Sequence, residues 1–435
     1  MDKSEQTITF IDMIKTISRA LDLISSTVVG HHKKVAYIAY RLGKRLNLNR
    51  DLLYKLVISA LIHDIGVFYL NQRFSDLSFD RKDNRHALVG YLLLEEYFPL
   101  PGTAAIIKNH HLEYRDISDD ISKTMPEEIL LGQLIHLADR IAVLLPESDS
   151  ELDVLQKKNK VKTVIANHSG QWFWPEAVEE FYYLTEREAF WLDVVNQQRS
   201  DFIIEKFFSD YHKPLSTEEL LNISKMMSQI IDFRSPFTAT HSQGIAEVAI
   251  NLARKSNISE QNCLQIKVAA LLHDLGKLII PLDILEKADK LEKQEWAIMR
   301  SHSYYSNYCL QAAESMANIR EWASYHHEKL NGQGYPFGLE SNLIPYEAKL
   351  IAVADIFTAL TEDRPYRKGM KIEKVRGILA EQVSQGELEP KVTAIITDNL
   401  AEFNGLRKTA QKKTRQKFKA FQNKVEEQKR LEQGV

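Results

Sequence analysis

The run "CLQIKVAALLHDLGK", Cys263–Lys277, decides how the rest of the chain is read. Its apolar residues recur every three or four positions, the period of a helix with one buried face. It closes on an adjacent His273-Asp274 pair, with Lys277 just beyond. A near copy, "VISALIHDIG" at Val57–Gly66, carries His63-Asp64. The same helical spacing runs through "TEELLNISKMMSQIIDF", Thr217–Phe233, and strand-like alternation is nearly absent. With 17 glycines and 12 prolines to interrupt it, the chain is expected to be all-α.

Outward from each His-Asp pair, histidines repeat in register. The C-terminal half carries His241, His273-Asp274, His302, His326-His327 and Asp355. The N-terminal half carries His31, His63-Asp64, His86, His110-His111 and Asp139. The first histidine precedes its His-Asp pair by 32 residues in both halves. The next step is 29 residues in one half and 23 in the other, a loop difference. The steps to the His-His pair (24) and on to the final aspartate (28) agree again. "LIHLADRIAVLL", Leu134–Leu145, also matches "LIAVADIFTAL", Leu350–Leu360. One histidine alone is an ordinary core or surface residue. Ten of the 14 in matched register mark a duplicated domain, two tandem helical copies.

A length of 435 residues suits two or three domains. The balance of 56 Lys+Arg against 59 Asp+Glu gives no global attraction to nucleic acid or an anionic membrane, so neither is expected as a partner. Two cysteines, Cys263 and Cys309, exclude a disulfide framework and fit a reducing compartment. The opening "MDKSEQTITFIDMIKTISRA" carries acids among its apolar residues, unlike a signal peptide. No apolar run reaches the roughly 18 residues of a membrane span. The expectation is a cytoplasmic protein.

The repeated set mixes imidazole with carboxylate and holds no cysteine, which excludes all-thiolate zinc chemistry. Such ligands suit Fe, Mn, Zn or Ni, and their number can hold two divalent ions. The expectation is two divalent ions, Fe or Mn first, with Ni, Mg or Zn as the other candidates. An aspartate between two histidine groups can bridge both. Two ions about 3.5–4 Å apart clamp a phosphate and generate a hydroxide, the machinery of phosphoester hydrolysis. Lys277 can set its ammonium on that phosphate.

From about residue 215 to 400 the chain resembles the HD-GYP family, the bacterial cyclic-dinucleotide phosphodiesterases of the HD superfamily. The matching stretches are "HDLGKLIIP" (His273–Pro281), "HHEKLNGQGYP" (His326–Pro336) and "IPYEAKLIAVADIFTALTEDRPYR" (Ile344–Arg367). The resemblance implies metal ligation by His241, His273, Asp274, His302, His326, His327 and Asp355, with Asp274 as the catalytic bridge. It implies Lys277 on the scissile phosphate and Arg364 and Arg367 as substrate-binding residues. The loop after His326-His327 shapes the wall of the site, and Tyr335 offers an aromatic face for a base. Gly332 and Gly334 permit backbone angles that other residues resist. In the family this loop is also linked to contacts with GGDEF cyclase domains. Departures from the pattern are Ser235, Thr240, Ser303, Ser306 and Thr358, which bear on substrate selectivity. Phe237 stands where relatives with a third metal have glutamate, so two ions are expected.

The N-terminal half resembles the wider HD superfamily. It keeps a second candidate metal site, His31, His63, Asp64, His86, His110, His111 and Asp139, with His32 as an unassigned extra. Val67 replaces the lysine, and "LEYRDISDD" follows the His-His pair in place of a GYP loop. Two readings stand: a worn-down regulatory copy, or a separate phosphoester site such as a 5′-nucleotidase acting on the linear product. The expected domains are an HD domain (1–145), a helical connector (146–214), an HD-GYP domain (215–405) and a charged tail (406–435). The aromatic-rich connector is expected to pack between the domains, and the tail to be a solvated helix.

The expected activity is metal-dependent hydrolysis of a 3′,5′-cyclic dinucleotide, cyclic di-GMP or cyclic GMP-AMP, to a linear 5′-phosphorylated dinucleotide. The alternative is a catalytically weak scaffold signalling through the GYP loop to a GGDEF-type partner. The intact ligand set and Lys277 speak against it.

Overall fold

The computed structural model describes residues 7–23, 30–70, 84–122, 124–145, 152–233, 240–287, 289–363 and 368–432. The chain is all-α, as expected, with no strand among the described residues. It divides into two units, Thr9–Pro214 and Leu215–Val435, the latter taking in Thr7 and Ile8.

The two units are built alike where the His-Asp pair is set. Asn47 and Asn257 turn the chain with φ of 54° and 57°, a left-handed conformation asparagine tolerates. Two residues on, the side chains of Asn49 and Ser259 cap the next helix by accepting the backbone N–H of Leu52 and Asn262. These helices, Arg50–Ile62 and Glu260–Leu272, run to His63 and His273 at their C-caps. Every residue from Leu56 to Ile62 is buried, so the first is a core helix rather than a surface one. Within Arg50–Tyr69 an 18-residue window reaches the mean hydropathy of a membrane span, and 83% of that window is buried.

A tight turn follows each pair and needs its glycine. A Cβ on Gly276 would lie 1.9 Å from the His302 carbonyl oxygen, and one on Gly66 would lie 2.0 Å from that of His86. The turn is thus pressed against the helix that carries the next histidine, Lys293–Leu310 in one unit and Arg85–Tyr97 in the other.

Two expectations about the periphery need correction. Segment 146–214 is not a connector between domains, because its helices belong to the first unit. Phe181, Phe190 and Trp191 form a buried ring cluster that reaches Tyr37, whose hydroxyl donates to Asp193. The tail is not simply solvated. The helix Leu400–Glu432 buries Phe403, Arg407, Gln411, Phe421 and Val425, and Phe233 stacks on Phe421. Apolar residues spaced along an otherwise polar helix supply that docking face.

Candidate metal centres

In the second unit, five elements deliver the seven residues singled out by spacing. His241 opens the helix His241–Lys255, His273 and Asp274 end Glu260–Leu272, and His302 lies within Lys293–Leu310. His326 and His327 follow Ala317–Ser324, and Asp355 lies on Tyr346–Thr361. Three rings are fixed in one way. Nδ1 of His273, His302 and His326 donates to the carbonyl three residues back, at 2.8, 2.7 and 2.6 Å. Each Nε2 lone pair is therefore left facing inward, the usual arrangement of a metal-binding histidine. Asp274 spans the centre: Oδ2 lies 3.0 Å from His273 Nε2 and Oδ1 lies 3.4 Å from His302 Nε2. Lys277 Nζ sits 2.7 Å from the same Oδ2. Potential ligand atoms converge in three overlapping groups: His241–His273–Asp355, His273–Asp274–His326, and His302–His326–His327.

The first unit repeats the arrangement. His63 and His110 donate Nδ1–H to Ala60 and Ile107 carbonyls at 2.9 and 2.6 Å. Asp64 faces His63 with Oδ2 at 3.3 Å and His86 with Oδ1 at 3.2 Å, and His31 Nε2 lies 3.0 Å from Asp139 Oδ1. The groups here are His31–His63–Asp64 and His86–His110–His111.

These sets fit a cation. His63 Nε2, Asp64 Oδ2 and His326 Nε2 are buried and make no hydrogen bond among the described residues. Leaving such atoms unsatisfied is costly, and a divalent ion satisfies several at once. Burial pushes the imidazoliums of His302 and His327 down to about 4 and about 3, so both rings are neutral donors at neutral pH. Burial alone would raise Asp274, but His273 and Lys277 hold it ionised, well below the usual carboxylate range. Burial would also lower His241, yet Glu362 and Asp355 raise it to about 10. His63 reaches about 10 in the same way, against burial, through Asp64 and Asp139. Without metal, the surplus carboxylate charge recruits protons onto these two rings.

The stretch His326–Pro336 is held by its own glutamate. The buried Glu328 carboxylate accepts the backbone N–H of Phe337 at 2.8 Å and of Leu339 at 2.9 Å. The loop therefore doubles back on its start, and Tyr335 N–H donates to the His327 carbonyl at 3.2 Å. Gly332 has φ +75° with open space around it, so it serves conformation. Gly334 instead serves close approach: a Cβ there would lie 2.3 Å from Lys329 N. The Tyr335 ring lies 4.7 Å from that of His327, and the Arg300 guanidinium covers it at 4.5 Å. Tyr335 is thus packed into the wall.

Several neighbours were not found from sequence. Glu362 lies on His241, and Ser306 accepts the Gly276 N–H at 2.9 Å while donating to the His273 carbonyl at 2.7 Å. Arg300 covers Tyr335, and the first unit has Arg140 3.2 Å from Asp139 Oδ2 and 3.3 Å from His111 Nδ1. Arg140 aligns with Ile356, so a difference between the copies was available as a signal. Arg364, Arg367, Ser235 and Phe237 lie outside the described residues.

Comparison with known proteins agrees with this duplication. Residues 28–144 and 225–392 each match a family model described as an HD domain. The chain is 31% identical to a 3′3′-cGAMP-specific phosphodiesterase 1 of Vibrio cholerae, over 89% of this chain and 91% of that protein. It is 27% identical to phosphodiesterase 3 of the same name and organism, over 88% and 93%. A cyclic di-GMP phosphodiesterase of Pseudomonas aeruginosa is 31% identical over 42% of this chain and 44% of its own length. A crystal structure of a cyclic GMP-AMP specific phosphodiesterase from V. cholerae shares the fold, with TM-score 0.60 and 22% identity over 91% of this chain and 98% of that one.

Proposed function

The chain belongs to the HD-GYP family of cyclic-dinucleotide phosphodiesterases, with tandem HD domains, and from that premise we propose that its substrate is 3′3′-cyclic GMP-AMP. The base preference is supported by extent of match. The two relatives aligned along nearly the whole chain carry that substrate in their names, whereas the P. aeruginosa cyclic di-GMP enzyme aligns with 42% of it.

The observation that carries the chemistry is the position of Asp274, with one oxygen toward His273 and the other toward His302. In this reading His241, His273 and Asp355 would hold one divalent cation and His302, His326 and His327 another, with Asp274 placed between the two sets. Such a pair supplies Lewis acidity and an activated water. Lys277, carried on the turn behind Asp274, orients the phosphate by charge. The water oxygen bonds to phosphorus, the P–O3′ bond breaks, and the 3′ oxygen takes a proton. The product is a linear dinucleotide with a free 3′-hydroxyl and a 5′-phosphate.

The first unit acts next in this scheme, removing the 5′-phosphate from that product. Its support is the repeated ligand geometry combined with Val67 in place of the lysine and a different segment in place of the GYP loop. A site without that wall suits a phosphomonoester end better than a closed ring. The test is product analysis of metal-loaded protein on cyclic GMP-AMP and cyclic di-GMP, with His63→Ala/Asp64→Ala alongside. Faster turnover of cyclic GMP-AMP is expected, with the linear 5′-phosphorylated dinucleotide accumulating only in the double variant. Faster turnover of cyclic di-GMP overturns the base assignment, and identical products from both proteins overturn the phosphatase role.

A further inference from the structure

The residue after the first predicted ligand differs between the units. Ser242 follows His241 and donates its hydroxyl to Asp232 at 3.0 Å. His32 follows His31, and its Nδ1 lies 3.2 Å from Asp22, the aspartate in register with Asp232. The same carboxylate thus anchors the side chain in both copies. The imidazole, being longer, carries a second nitrogen onward: His32 Nε2 lies 3.7 Å from Asp64 Oδ2.

That oxygen has a counterpart with a known neighbour. In the second unit the equivalent Asp274 Oδ2 is taken by the Lys277 ammonium at 2.7 Å. Val67 stands at the lysine position in the first unit, so His32 approaches the oxygen that lysine would hold. His63 Nε2 faces the same oxygen at 3.3 Å, and the His32 and His63 rings are 5.2 Å apart.

Two features match a metal ligand. A ligating histidine typically gives its other ring N–H to a carboxylate or carbonyl, which fixes the tautomer and leaves the far nitrogen as donor. Asp22 stands in that place for His32, as the Ala60 carbonyl does for His63. Separations of 3.3 and 3.7 Å between donor atoms are also those around one ion: with metal–ligand bonds of about 2.0–2.2 Å, tetrahedral neighbours stand roughly 3.4 Å apart. Both His32 and Asp64 are buried, so neither charge nor lone pair is relieved by bulk solvent.

We propose that His32 is a metal ligand of the first unit, sharing with His63 and Asp64 an ion that has no equivalent imidazole in the second unit. The first site gains a nitrogen donor where the second has an ammonium, so it holds its metal more tightly. This rests on the first unit being a metal site, as proposed above. The competing assignment is an imidazolium bridging Asp22 and Asp64 with no metal contact.

The experiment uses the full chain carrying Asp274→Ala, which weakens metal binding in the second unit. Equilibrium dialysis against Mn²⁺, with metal counted by mass spectrometry, gives affinity and stoichiometry. The parent retains tightly bound Mn²⁺, and adding His32→Ser, the second-unit residue at that position, weakens it at least about 10-fold. In the Co²⁺-loaded protein the visible absorption band also shifts, which a merely structural change would not cause. Helical melting in EDTA controls for folding, and His32→Gln replaces His32→Ser if the serine variant is unfolded. Unchanged affinity and spectrum overturn the ligand assignment while leaving the first unit a metal site. A parent with no retained metal overturns both.

Discussion

Glu362 Oε1 lies 2.9 Å from Nδ1 of His241. On the other side of the ring, Nε2 lies 3.2 Å from Asp355 Oδ1, so the glutamate stands behind a histidine that faces the other candidate ligands. Glu362 is itself held from the C-terminal helix. Gln411 donates to its Oε2 at 3.0 Å, and Arg407 fixes Gln411 and also donates to the Thr361 carbonyl. Gly244 makes room, since a Cβ there would lie 2.9 Å from Gln411 Nε2.

Glu362→Gln should therefore weaken Mn²⁺ binding by about 10- to 100-fold, the usual cost of losing the partner behind a ligating histidine. Gln411→Met should weaken it less, because Glu362 remains. Titration calorimetry measures both, with Lys412→Ala on the exposed face of the same helix as control. Wild-type affinity in Glu362→Gln would show that Glu362 does not support the site.

Lys277→Met should keep full metal content and slow hydrolysis by about 10²–10³, the cost of removing one preorganised charge from a transition state. The loss should appear in kcat more than in KM. An undiminished rate would place the ammonium outside the reacting phosphate.

Metal binding should release protons. His241 and His63 sit near 10 in the metal-free protein, so both are protonated at pH 7.5 and must lose that proton to donate to a cation. His302 and His327, near 4 and 3, are already neutral and release none. Affinity should accordingly rise with pH from neutrality toward about 10 and then level off. Calorimetry in buffers of different ionisation enthalpy should give about one proton from the second unit and more from the first, where, against burial, Asp22 and Asp64 raise His32. A heat independent of buffer would contradict this.

Gly276→Ala should lose metal binding together with stability, because its Cβ would meet the His302 carbonyl oxygen at 1.9 Å and push apart the elements carrying Asp274 and His302. Gly332→Ala has open space and should cost only the strain of a left-handed alanine. Thermal melting in EDTA and metal content separate the two; equal effects would mean that the turn tolerates displacement.

Much of the site was legible because it is written twice. Matching spacings at three of the four steps from His31 to Asp139 and from His241 to Asp355 marked fourteen positions without any contact being known, and the structure brings each seven together. Glu362 was not legible. It falls in the family motif, but its partner Gln411 is 49 residues away on a helix whose polar composition hid a buried face. Ser306 was read as a departure from pattern, yet it bonds both sides of the His273 turn, a contact that depends on two helices meeting. The aromatic segment 146–214 advertised packing but not its partner, because burial against Tyr37 or against another domain leaves the same pattern in sequence.

The central claim is that Asp274 and the histidines around it form the centre that opens the cyclic dinucleotide. The most direct measurement is single-turnover hydrolysis of 3′3′-cyclic GMP-AMP by metal-loaded wild type and Asp274→Ala, with bound metal counted in the same samples. Wild type should yield linear product, whereas Asp274→Ala should yield none, with its metal content reduced and its helical signal retained. Ring opening at a near-normal rate in Asp274→Ala, with metal content unchanged, would contradict the account.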